Sequence, residues 1–137
     1  EKKIKEALSL GAHHTLNSRD PEQIAASVGK FDLIISTVDV ALDWRSYIQT
    51  LKSRGRLHFV GASSVGLDIS PIDLMSSQIS VSGSMVGTPA TMIKMLEFFQ
   101  NHNIKPVVEM CYFDEINVAL DKLRSGNVYY RLVLQHR

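Results

Sequence analysis

The chain carries a single cysteine, Cys111, which can form neither an internal disulfide nor a thiolate zinc cage. Stapling of the extracellular kind and a structural zinc site are therefore excluded within these residues. Long apolar runs are also missing: the best, residues 31–35 and the stretch 128–134 that Arg131 interrupts, fall far short of the roughly 20 residues that span a bilayer. No charge of one sign dominates. Fifteen Lys and Arg face fourteen Asp and Glu for a formal net charge of +1, so no global field draws nucleic acid or an acidic membrane surface. Neither an initiator Met nor a signal-peptide pattern opens the chain, which begins Glu1-Lys2-Lys3 and reads as a start inside a longer sequence. The expectation is a cytoplasmic location, with no membrane and no nucleic-acid partner.

What is present is an ordinary globular composition over 137 residues, 45% hydrophobic and 21% charged, enough for one core. Ile4, Ala7, Leu8 and Leu10 recur at helical spacing before Gly11, which predicts an opening helix. A short strand is expected over 13–16. Ser18-Arg19-Asp20-Pro21-Glu22 offers an N-cap with Pro in the first turn, for a helix reaching about Val28. The run Phe31 to Val38 reads as an interior parallel strand covered on both faces. A helix over 41–52 closes at Arg54-Gly55, and 56–60 is the next strand, ending at Gly61-Ala62. A short helix over 71–77, a strand over 79–84 and a longer amphipathic helix over 89–101 follow. A strand over 106–113, a helix over 114–123 capped by Asp114, and a last strand over 128–135 complete the chain. This alternation argues for an α/β domain around a mainly parallel sheet.

In open parallel sheets, ligands bind beyond the carboxyl ends of strands, where free backbone groups and helix N-termini converge. Three ends stand out: Ser36-Thr37-Val38, Val60-Gly61-Ala62-Ser63, and Gly83-Ser84-Met85-Val86-Gly87. Each combines small residues, which admit a ligand to the backbone, with hydroxyl or amide groups suited to a ribose or carboxamide. Singly each is explained by turn chemistry; in order on one sheet they point to a ligand crevice.

The succession Leu10-Gly11-Ala12, Phe31 to Val38, Gly55 to Ala62, Ser82 to Gly87, Met95-Leu96-Glu97-Phe98 and Tyr130-Arg131-Leu132-Val133 closely resembles the C-terminal part of zinc-dependent medium-chain alcohol dehydrogenases of the cinnamyl-alcohol-dehydrogenase-like kind. The resemblance spans essentially the whole chain. It implies reversible reduction of aldehydes to primary alcohols with a nicotinamide cofactor, NADP(H) by the subfamily's habit, with NAD possible. By position it implies that Thr37, Val38, Val60, Gly61, Ala62, Ser84, Met85 and Val86 line the nicotinamide and its ribose, that Arg131 approaches the phosphates, and that Lys2 lies near the 2′-phosphate. It also implies a homodimer interface near the edge strand 79–84, where Ile79 and Val81 alternate with serines up to Ser84. His13, Ser36 and Tyr129 depart from the family's frequent residues, which puts cofactor preference in doubt.

The absences bear on activity as well. The Gly-rich turn that places helix N–H groups on the pyrophosphate does not occur, and Gly83 to Gly87 does not reproduce its spacing. The family's zinc ligands lie N-terminal to this segment. No residue here is assigned as catalytic or as a metal ligand: the histidines carry no HExxH spacing, and no Gly-x-Ser-x-Gly elbow exists. The expected fold is thus α/β, a partial Rossmann domain, a doubly wound parallel sheet lacking its first strands, with C-terminal strands that would join the catalytic domain of the parent enzyme. Residues 1–137 form one C-terminal portion of the nicotinamide-binding domain plus a return segment, inactive alone. The competing expectation is a non-catalytic α/β module that binds a nucleotide or partner through the same crevice.

Overall fold

The computed structural model describes residues 2–62, 65–128 and 130–137, without the side chain of Lys2. It divides into two compact units, 1–86 and 87–137. In the first, α1 (Lys2–Ser9), α2 (Pro21–Ala25), β1 (Phe31–Ser36), α3 (Trp44–Gln49), β2 (Leu51–Phe59), α4 (Pro71–Met75) and β3 (Ser80–Gly83) build a three-stranded parallel sheet ordered β1-β2-β3. In the second, α5 (Pro89–Asn101), β4 (Val108–Tyr112), α6 (Ile116–Arg124) and β5 (Arg131–Gln135) include a parallel pair, β4 with β5.

The core of the first unit lies on one sheet face. Trp44 and Ile48 of α3 pack with Leu51, Leu57 and Ile79, and Phe31, Ile34, Phe59, Leu74 and Val81 close around them. Trp44 meets the Phe59 ring edge-on, with centroids 4.9 Å apart. Alternation along β2 puts Leu57 and Phe59 on this face, and Leu57 is wholly buried. Polar contacts hold the helices in place. The Asp73 carboxylate accepts from the backbone N–H (3.0 Å) and hydroxyl (2.8 Å) of Ser70 at the start of α4, and from Arg45 Nε of α3 at 3.2 Å. Those contacts, led by the Ser70 hydroxyl, hold Asp73 below the usual aspartate range. Asp43 caps α3 by accepting from the Ser46 hydroxyl and, at 3.2 Å, from its backbone N–H, which lowers its pKa likewise.

Several expectations are corrected. Residues 13–17 carry no regular structure. An isolated extended segment has no ladder to satisfy its backbone groups, and β1, paired with β2 alone among the described residues, offers it no bridge. Among the described residues Leu33 and Ile35 of β1 are 52% and 57% exposed. The helix expected over 41–52 ends at Gln49: the Thr50 carbonyl accepts from the N–H groups of Lys30 (2.9 Å) and Phe31 (3.0 Å), so Leu51 already enters the sheet opposite Phe31. The N-cap expected within 18–22 is found at Asp20, which accepts from the N–H groups of Glu22 and Gln23, with Pro21 in the first turn of α2. Asp114 does not cap α6; it sits in a 3-10 turn, Phe113–Glu115, and its carboxylate pairs with Arg137 at 3.1 Å.

Two outcomes are expected. Leu57→Ala, which empties the centre of the Trp44 core, should lower unfolding free energy by about 2–5 kcal/mol in denaturant titrations. Asp43 has a folded pKa below its ordinary value of 3.8, so its stabilisation stands in full above the unfolded value and is lost as pH falls through the folded one. Thermal unfolding between about pH 5 and pH 2 should therefore show a smaller acid-induced loss in Asp43→Asn than in the unmodified protein.

Candidate functional site

The parallel register brings the first three strand ends level. Ile35, His58 and Ser82 stand side by side, then Ser36, Phe59 and Gly83, so the chain leaves all three strands within one step of the ladder. The ladder continues just past the strands. Ser36 carbonyl accepts from both Val60 N–H (2.9 Å) and Gly61 N–H (3.2 Å), and Phe59 carbonyl accepts from Ser84 N–H (3.0 Å).

Gly61 is where two of the ends touch. A Cβ at this position would stand 2.7 Å from the Thr37 carbonyl carbon, 2.8 Å from its oxygen and 3.1 Å from the Val38 nitrogen, all of them backbone atoms. Only the absence of a side chain allows that approach. Between the second and third ends, Phe59, Val60, Gly61, Ala62, Gly83, Ser84, Met85 and Val86 line an open cleft of about 540 Å³. Met85 and Val86 are 91% and 93% exposed, so they form an apolar lip rather than part of a core.

The sequence candidates therefore fall into groups. Val60, Gly61, Ala62, Ser84, Met85 and Val86 share the cleft. Thr37 and Val38 line a neighbouring hollow of about 240 Å³ with Ile34, Ser36, Trp44 and Tyr47, and adjoin the cleft through Gly61. Arg131 opens β5 in the second unit, opposite Val108, and is exposed there. The Lys2 side chain, Ser63 and Tyr129 lie outside the described residues.

Two features escaped the sequence. His58 bonds Ser82 Oγ through Nδ1 at 2.9 Å and Ser84 Oγ through Nε2 at 3.0 Å. Ser82 and Ser84 share a face by their spacing, but only the register of β2 against β3 reveals that His58 stands beside them. Ser36 is also buried, and its hydroxyl has no hydrogen-bond partner.

The residues fit the nicotinamide end of a dinucleotide. Gly61 admits close approach to backbone, Ser84 supplies a hydroxyl, and the Met85-Val86 lip supplies an apolar face for a ring. Among the described residues no group of three or more His, Cys, Asp and Glu side chains is arranged to hold a metal ion, and no helix is long and apolar enough to cross a membrane.

Comparison with known proteins shows the chain's family. The aldehyde reductase AdhA of Synechocystis sp. is 53% identical over 135 residues, covering 98% of this chain and 40% of that protein. A probable cinnamyl alcohol dehydrogenase 6 of Arabidopsis thaliana is 38% identical over 133 residues, covering 96% of this chain and 37% of the relative. Among solved structures, a cinnamyl alcohol dehydrogenase of Sorghum bicolor superposes with a TM-score of 0.88 at 32% identity, covering 97% of this chain and 38% of that one. The Helicobacter pylori cinnamyl alcohol dehydrogenase complexed with NADP(H) gives a TM-score of 0.77 at 30% identity, covering 96% of this chain and 38% of the other. The chain thus spans about two fifths of the length of the relatives it matches. The family model for zinc-binding dehydrogenases matches residues 1–101, and the chain belongs to that family.

Proposed function

We propose that this chain is the C-terminal, cofactor-binding portion of a zinc-dependent alcohol dehydrogenase that interconverts aldehydes and primary alcohols with NADP(H), NAD(H) being the alternative cofactor. The observation that carries the reading is the backbone contact of Gly61 with Thr37 and Val38 beside the cleft of Ser84, Met85 and Val86. It joins two strand ends into one surface where a flat ring can lie close to the main chain. When bound, the nicotinamide supplies or accepts hydride, and zinc in the parent enzyme supplies a Lewis acid held outside these residues.

The chain's own residues bind and orient. Met85 and Val86 exclude water from one ring face, backbone groups at Val60 to Ala62 and the Ser84 hydroxyl receive the carboxamide and ribose, and Thr37 and Val38 border the same surface. Arg131 is assigned to the phosphates, because an exposed guanidinium suits forked contacts to an anion, and Lys2 to the 2′-phosphate. Residues 1–137 alone are proposed to be inactive, since the substrate pocket and metal ligands belong to the remainder of the parent enzyme. The outer edge of β3, unpaired among the described residues, supports a homodimer formed by strand addition. A cytoplasmic location completes the reading.

Calorimetric titration of the intact protein with NADPH and NADH tests the proposal. Micromolar NADPH binding is expected, and absence of binding by either nucleotide in folded protein would overturn the reading in favour of a non-catalytic module. Gly61→Val, whose side chain must displace Thr37, should weaken NADPH by at least about tenfold. A protein carrying Thr37→Val and Arg131→Ala should lose affinity to a similar order, about tenfold, while keeping its circular dichroism spectrum. Sedimentation equilibrium should return twice the monomer mass if β3 pairs with its own copy.

A further inference from the structure

His58 stands on the middle strand, between Ile35 of β1 and Ser82 of β3. Its neighbour Leu57 points into the Trp44 core, so alternation turns His58 to the opposite sheet face, where Ser82 and Ser84 also lie. The residue is half-buried, and both ring nitrogens are engaged, Nδ1 by Ser82 Oγ at 2.9 Å and Nε2 by Ser84 Oγ at 3.0 Å. Ser84 lines the cleft and His58 does not. The Ser84 backbone N–H is spent on Phe59 carbonyl, whereas its hydroxyl is a rotor whose direction the sheet leaves open.

We propose that His58 is a positioning residue for the cofactor site: its imidazole fixes the Ser84 hydroxyl at the cleft wall and sets the hydrogen-bonding polarity that hydroxyl offers to a ligand carboxamide. The inference rests on reading the cleft as the nicotinamide end of the site. A neutral imidazole has one N–H and one lone pair. With the proton on Nδ1, the ring donates to Ser82, Ser84 donates its hydroxyl proton to Nε2, and Ser84 shows the cleft only lone pairs, which suit an amide N–H. With the proton on Nε2, the ring donates to Ser84, whose own proton is released toward an amide carbonyl. Ser82, on the far nitrogen, accepts from Nδ1 in the first state and donates to it in the second. Two hydroxyls and one ring thereby replace a free rotor by a directed group, which removes an ordering cost at binding.

The test separates the two ring nitrogens in the intact protein, with NADPH as the probe. A glutamine side chain carries its amide to the Nε2 position and keeps the link to Ser84; asparagine reaches only the Nδ1 position and keeps the link to Ser82. His58→Gln should bind NADPH within about twofold of the unmodified protein, and His58→Asn and His58→Leu should each weaken it about fivefold, the size of one lost hydrogen bond. In a Ser84→Ala background, His58→Asn should cost nothing further, since the effect passes through Ser84. Equal losses in the Gln and Asn variants that follow their melting temperatures, or a loss that persists without the Ser84 hydroxyl, would reduce His58 to a strand staple and overturn the inference while leaving the cofactor reading intact. Failure of the unmodified protein to bind NADPH would remove both.

Discussion

Everything in the first unit hangs on β2. It is the strand with a hydrogen-bonded neighbour on each side, and the one whose Leu57 is wholly buried under Trp44 and Ile48. A parallel ladder needs both neighbours in register before any of its side chains can meet, and the slip of a single residue would turn Leu57 outward and His58 into the core. The apolar face of β2 therefore sets the register, and the register in turn levels the three strand ends. Site geometry follows from core packing, not from contacts made at the site itself.

That dependence explains why Gly61 and the Trp44 core belong to one argument. Trp44 stacks edge-on against Phe59, two residues before Gly61, and Phe59 carbonyl receives Ser84 N–H at 3.0 Å. The core contact holds Phe59, Phe59 holds β3 at its exit, and Ser36 holds the exit of β2 through its shared carbonyl. Gly61 can then approach Thr37 to a distance no side chain would permit. A cleft with an apolar lip and a hydroxyl wall arises at the C-terminal edge because the core contact of Phe59 and the bonds to the Phe59 and Ser36 carbonyls fix where the chain leaves the sheet.

Much of this was legible in the residues. The apolar run at 31–38, the Pro-led helix at 71 and the amphipathic pattern of α5, found at Pro89–Asn101, are local patterns whose periodicity survives in the fold. The strand-end residues Thr37, Gly61, Ser84, Met85 and Val86 were visible because small and hydroxyl residues after a β-rich run are themselves a local signal. The block order carried the family resemblance, since spacing between blocks reflects loop lengths that a fold tolerates only narrowly. What failed, failed for want of partners. Residues 13–16 have the side chains of a strand, but a strand exists only as part of a ladder. The helix from Trp44 stops early because the chain at Lys30 and Phe31 claims the Thr50 carbonyl, a contact 20 residues away in sequence that no window could register. Asp114 suits an N-cap by type, yet its carboxylate is taken by Arg137.

By itself, then, the sequence determined the α/β class, the positions of most elements, the family and the strand ends that border the cleft, because these rest on local periodicity, turn chemistry and block spacing. The tertiary structure alone decided that Gly61 rests on the Thr37 backbone and that His58 joins Ser82 to Ser84. Each of those is a relation between residues of different strands, and the register that creates it is chosen by burial of Leu57 and Trp44, not by any property of the residues it brings together.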